Sequence, residues 1–93
     1  MARKSRWEKS TVGLLDYKFR WGDWLREGDS IQRADITITP SGLTLEQTAI
    51  EGGDVFVWVS GGVDHANYRI VCQIETADGR IDQKKEMLRI KPI

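Results

Sequence analysis

His65 and Cys72 are the only histidine and the only cysteine of the chain, and they bound the chemistry open to it. A Ser-His-Asp triad would have to run through His65. That residue lies in Gly61-Gly62-Val63-Asp64-His65-Ala66-Asn67, a turn-forming stretch with no partner motif, so it reads as a solvated side chain. Cys72 lies inside Tyr68-Arg69-Ile70-Val71-Cys72-Gln73-Ile74 and reads as a small buried hydrophobe. With no second cysteine there is no internal disulfide, and a structural zinc site would want roughly four Cys or His ligands. Asp16 and Asp29 flank an aromatic cluster, but a glycosidase pair needs carboxylates about 5–10 Å apart across a cleft. A chain of 93 residues has little cleft to offer, so both read as turn and cap hydrogen-bonding groups. Asp78-Gly79-Arg80 is a hairpin turn before it is anything else. The glycines form neither GxxxxGK[ST] nor GxGxxG. The expectation is a protein that is not an enzyme and carries no cofactor or metal.

Recognition chemistry is better represented. Four tryptophans are many for 93 residues. Trp7 sits in a leader where Arg3, Lys4, Arg6 and Lys9 oppose only Glu8, a local charge of +3. Two readings stay open for it: a frayed soluble leader, or an arm that orders on a partner with Trp7 as its anchor. Trp24 stands on a turn, where core packing and exposed contact are both open. Those six residues, Arg3, Lys4, Arg6, Trp7, Lys9 and Trp24, are the candidate partner-binding set. Tyr17, Phe19, Trp21, Leu25, Trp58 and Tyr68 are the candidate core motif.

The elements that position these residues read as β. Asp16-Tyr17-Lys18-Phe19-Arg20-Trp21 alternates with period 2, the mark of a half-buried strand. Asp23 and Gly28 can bracket a short helical turn near 23–27, carrying Trp24 and Leu25 onto the core. Residues 30–39 resume extended structure, Pro40-Ser41-Gly42 turns, and 43–50 follow as a strand. Val55-Phe56-Val57-Trp58-Val59 is apolar on both faces and reads as a central strand, one side on the core, the other on a neighbouring subunit or the helical turn. Tyr68, Ile70, Cys72 and Ile74 share a face of the next strand, and Asp78-Gly79 predicts a hairpin. The return strand changes parity between Ile81 and Leu88, which a β-bulge near Lys84–Glu86 would repair. Six to seven short strands with glycine turns predict an all-β sandwich, with a closed barrel as alternative. The expected division is a basic arm over 1–14 and the β-domain over 15–93. No stretch approaches about 18 apolar residues, so no membrane helix is expected. No signal-peptide pattern is present either. The 14 basic and 14 acidic residues cancel, which argues against a generally basic nucleic-acid binder.

Leu15 to Ile31 resembles a family of small proteins from tailed bacteriophages, the phage fiber-tail adaptors. The matching pattern is D-Y-x-F-x-W-x-x-W-L-x-x-G-D-x-I, carried here by Asp16, Tyr17, Phe19, Trp21, Trp24, Leu25, Gly28, Asp29 and Ile31. Ser41-Gly42-Leu43, Val57-Trp58-Val59-Ser60-Gly61-Gly62, Tyr68 and Ile74 to Arg80 extend the resemblance over roughly residues 15–90. It implies a virion structural protein with an immunoglobulin-like fold and no catalysis. The basic leader with Trp7 departs from the family pattern.

The functional expectation is a non-enzymatic virion component, made in the host cytoplasm, that docks onto a symmetric particle lattice. Its partners would be capsid or tail and fiber subunits, and it would be a homo-oligomer or present in many copies, where weak contacts add through avidity. Tail adaptor and capsid decoration are both open. A carbohydrate-binding module is the alternative, and it requires two of Trp7, Trp24 and Trp58 to be exposed and coplanar. A nucleic-acid binder using the leader is a third reading, and it predicts affinity falling steeply with salt. Deleting residues 1–12 is expected to leave the domain folded and to abolish assembly.

Overall fold

A computed structural model describes residues 6–91. They form seven strands: β1 (Arg6–Ser10), β2 (Leu14–Arg20), β3 (Ile31–Thr39), β4 (Leu43–Glu51), β5 (Asp54–Gly61), β6 (Asn67–Thr76) and β7 (Ile81–Lys91). Two sheets result, one in the order β1-β7-β6-β3 and one in the order β2-β5-β4. β1 pairs with β7 in parallel, and the other pairings are antiparallel.

Period-2 alternation decides which side chains lie between the sheets. Val55, Val57 and Val59 of β5 are fully buried there. Opposite them stand Tyr68, Ile70, Cys72 and Ile74 of β6 and Leu88 and Ile90 of β7, also buried. Phe19, Trp21 and Ile31 complete the core, and Ile36 and Ile38 of β3 pack against it. Two glycines serve this core directly. Gly42 has φ +127°, and a Cβ there would lie 2.6 Å from the Tyr68 hydroxyl. Gly62 has φ +105°, and its Cβ would lie 2.6 Å from Ile90 Cδ1. Side chains at either position would be strained by the backbone and would also collide with the core.

Several expectations are corrected. Residues 6–10 do not extend away as an arm: they are the edge strand β1, in register from Arg6 opposite Met87 to Ser10 opposite Lys91. Residues 1–5 lie outside the described residues. The expected helical turn near 23–27 forms no helix, and a single helical-type turn closes two residues earlier, over Trp21–Leu25. The Trp24 and Leu25 N–H groups both donate to the Trp21 carbonyl, at 2.9 and 3.1 Å, and the chain then turns again where Asp29 N–H meets the Arg26 carbonyl. Five residues between Gly22 and Gly28 are too few to offset helix nucleation. The bulge expected near Lys84–Glu86 is also absent, because β6 and β7 pair without a break from Asn67 opposite Arg89 to Glu75 opposite Ile81. Ile81, 61% exposed, simply faces outward. Lys84 takes the inward parity instead: its Nζ lies 4.8 Å from the Trp21 ring centroid and donates to the Arg20 carbonyl. A lysine can occupy such a place because its methylene stem covers the ring while the ammonium reaches an acceptor at the sheet margin. Irregularities do occur, but in β3 between Ile31 and Arg33 and in β4 between Leu45 and Gln47.

Candidate docking face

The inward valines of β5 leave Phe56 and Trp58 on the opposite side of the strand, half-buried on the outer face of the β2-β5-β4 sheet. Their ring centroids are 6.2 Å apart with planes tilted by 33°. β5 is the central strand, so both neighbours frame this pair. On β2, Asp16 stands opposite Trp58, Lys18 opposite Phe56, and Leu14 opposite Ser60. On β4, Gln47 stands opposite Trp58 and Ala49 opposite Phe56. Lys18 Nζ lies 5.8 Å from the Phe56 centroid and 3.9 Å from Asp54 Oδ2. The Ser60 hydroxyl donates to Glu46 Oε2, which brings that carboxylate to the Trp58 side of the sheet. Leu14, 58% exposed, extends the apolar strip past Trp58. Partly exposed aromatic residues rimmed by charge, with no covering layer among the described residues, are the kind of surface that proteins use for interaction.

Of the expected partner-binding residues, Trp7, Lys9 and Trp24 lie away from this face. Arg3 and Lys4 lie outside the described residues. Arg6 is the first residue of β1. Trp7 lies between the sheets, stacked on Tyr17 at 4.6 Å with planes 12° apart and edge-on to Phe19 at 5.0 Å. Lys9 is 3% exposed, and its ammonium donates to the Gly61 carbonyl of β5 and to the Ser10 carbonyl. Burial lowers its pKa from the ordinary lysine value. The Tyr17 hydroxyl donates to the Glu8 carbonyl at 2.5 Å, so β1 is tied to the second sheet by a ring stack and by hydrogen bonds from both sides. Trp24 is half-buried, edge-on to Trp21 at 5.2 Å, with the Arg80 guanidinium 3.9 Å from its ring centroid.

Of the expected core motif, Phe19, Trp21 and Tyr68 are buried, and Tyr17 and Leu25 pack against them. Trp58 departs from the core placement: its parity opposes that of Val57 and Val59, so it lies on the outer face of the sheet. Phe56, Leu14 and Glu46 were not among the candidate site residues. The doubly apolar run 55–59 was the signal for Phe56, whereas nothing in the sequence marks Glu46.

Among the described residues no three His, Cys, Asp or Glu side chains cluster as a metal site would require. Asp29 is a turn clamp: its Oδ1 accepts from Ser30 N–H at 2.8 Å and from Asp78 N–H at 3.1 Å. Desolvation pushes its pKa up, but hydrogen bonds from Thr76, Ser30 and Asp78 and the Arg80 charge outweigh that and lower it. Burial raises the Cys72 thiol to about 11, away from the reactive range, with the Trp21 indole and Lys84 acting in the opposite sense. The coplanar, exposed tryptophan pair required of a sugar platform does not form from Trp7, Trp24 and Trp58, since Trp7 is stacked on Tyr17 and Trp24 lies against Trp21 and Arg80.

Two sheets around one core, with an aromatic strip on an outer face, define a small β-domain suited to binding other proteins. The chain belongs to the podophage fiber-tail adaptor family: residues 9–89 match the family described as Podophage GP4 fiber-tail adaptor protein gp77. No curated protein matches the chain. It is accordingly a bacteriophage virion structural protein of the tail-adaptor kind. No helix among the described residues is long and apolar enough to cross a membrane.

Proposed function

We propose that this protein acts without catalysis, as a docking module that joins tail and fiber subunits at equivalent positions of the particle. The observation that carries the reading is the partly exposed Phe56–Trp58 pair on a sheet face that nothing among the described residues covers. Such a face is suited to association, since aromatic anchors dominate interface energetics. Each copy can bind modestly, because repetition around the particle supplies avidity. The family favours a tail position over capsid decoration.

An immunoglobulin-like fold underlies this reading. Lettering β2 to β7 as B, C, D, E, F and G gives B-E-D in one sheet and G-F-C in the other, the immunoglobulin arrangement. β1 then takes the place of an A strand that pairs in parallel with G. Tyr68, near the start of β6, accepts a 3.0 Å hydrogen bond at its hydroxyl from Val63 N–H, five residues upstream, as a tyrosine corner does.

Counting copies per particle by quantitative mass spectrometry tests the proposal. About six or twelve copies are expected, as tail symmetry demands. Hundreds of copies would move the protein to the capsid surface, and absence from purified particles would end the reading.

A further inference from the structure

We propose that the docking face around Trp58 receives the basic N-terminal segment, Arg3 and Lys4, of a neighbouring copy of this chain. The inference rests on the multicopy reading above and goes beyond it by naming both sides of one contact.

Trp58 lies between two carboxylates. Asp16 stands directly opposite it on β2, and Glu46, held by the Ser60 hydroxyl, approaches from β4. Glu46 reaches the outer face because it is the extra residue of the irregularity between Leu45 and Gln47. Neither carboxylate has a cation at ion-pair distance among the described residues: Lys18 is engaged with Asp54, and the other ion pairs involve other groups. An indole face flanked by unpaired carboxylates suits a guanidinium or ammonium, through cation–π attraction and charge-assisted hydrogen bonds together. All 14 acidic side chains lie within residues 6–91, while Arg3 and Lys4 belong to a segment with no acid.

Reach places the donor on another copy. β1 leaves Trp7 on the inner side of Tyr17 and Phe19, whereas Trp58 is on the outer side of the same sheet. Trp58 is also displaced along β2, being level with Asp16 while Phe19 is level with Val55. Three residues from Arg6 to Arg3 span at most about 10 Å, and a guanidinium adds roughly 6 Å. Crossing a sandwich about 10 Å thick and stepping roughly 10 Å along the strand, around the edge of β2, takes more than that. The neighbour's segment meets no such limit.

A double cysteine variant of the full chain, Lys4→Cys with Glu46→Cys, tests the contact in assembled particles. Cys72 is buried and stays out of the exchange. Mild oxidation should give a ladder of disulfide-linked oligomers on a non-reducing gel, and Lys4→Cys with Lys85→Cys should give none. A second measurement follows incorporation. Arg3→Glu with Lys4→Glu should lower it about tenfold, one good charged contact's worth, and adding Asp16→Lys with Glu46→Lys should restore it. Particles that contain the double cysteine variant only as monomer overturn this inference and leave the adaptor reading standing. Wild-type protein absent from particles overturns the adaptor reading itself.

Discussion

Cys72 is fully buried on the inner side of β6, and burial holds its thiol at about 11 against an ordinary value of 9.0. Its effect on stability has a definite sign. Above pH 9 the unfolded chain releases the thiol proton while the folded chain keeps it, so stability is lost as pH rises from 9 towards 11. Two units correspond to roughly 2–3 kcal/mol at the top of that window. Tyr17 contributes in the same direction from pH 10 upward, because burial first, and the Asp16 and Glu8 charges after it, push its hydroxyl to about 12. Urea unfolding should therefore show a steep loss of stability between pH 9 and 11 in the wild type. Cys72→Val should flatten that loss while keeping the core apolar; an unchanged slope would mean that the thiol is not protected by the fold. Cys72 could be read from sequence as a buried residue because its own strand alternates cleanly. Lys9 could not, since a lysine facing inward at a sandwich edge depends on the Gly61 carbonyl, 52 residues away.

β1 shows how an element can be missed when its partner is remote. Arg6-Trp7-Glu8-Lys9-Ser10 is charged on both parities, and it becomes a strand only through parallel pairing with β7 at the far end of the chain. Trp7 and Lys9 then occupy the inner side, and Glu8 meets Lys91 at 3.2 Å on the outer one. β6 and the Asp78-Gly79 hairpin, by contrast, are specified by neighbours in sequence, so alternation and turn chemistry suffice. The structure reverses the expectation that residues 1–12 can be removed without harm to the domain. Deleting residues 1–5 should leave the thermal midpoint within a few degrees of wild type. Deleting 1–10 strips the ring stack from Tyr17 and uncovers Phe19, a loss comparable to a large-to-small core substitution, about 3–5 kcal/mol. For a domain of this size that approaches the whole of its stability. Circular dichroism melts of the two truncations separate the outcomes, and a 1–10 deletion that melts like wild type would show β1 to be dispensable.

At the scale of the whole molecule, the proposed docking function would divide the two sides of β5 between folding and assembly. Val55, Val57 and Val59 are part of the core, while Phe56 and Trp58 lie outside it and remain partly exposed. The sequence carries the class of protein in its D-Y-x-F-x-W-x-x-W-L pattern, yet most of that pattern builds the core and the turn beside it. Phe19 and Trp21 are buried, and Trp24 is held against Arg80. The face proposed for docking lies instead in the run 55–59, where alternation alone does not say which side looks out. That depends on the valines packing against β6 and β7, a tertiary outcome. Phe56→Ser with Trp58→Ser should therefore act on assembly rather than folding. Both side chains are partly buried on a central strand, so the variant should stay folded with a moderately lowered melting point, and removing an apolar patch improves solubility. Its incorporation into particles should fall by more than about tenfold, since each aromatic anchor is worth on the order of 2 kcal/mol at an interface. Val57→Ser, one residue away, should do the reverse: it places an unpaired hydroxyl in the core and unfolds the domain. Copy counting on particles grown with each variant, alongside melts of the purified proteins, tests the division directly. A Phe56→Ser, Trp58→Ser protein that enters particles at wild-type level would mean that the partner binds another face.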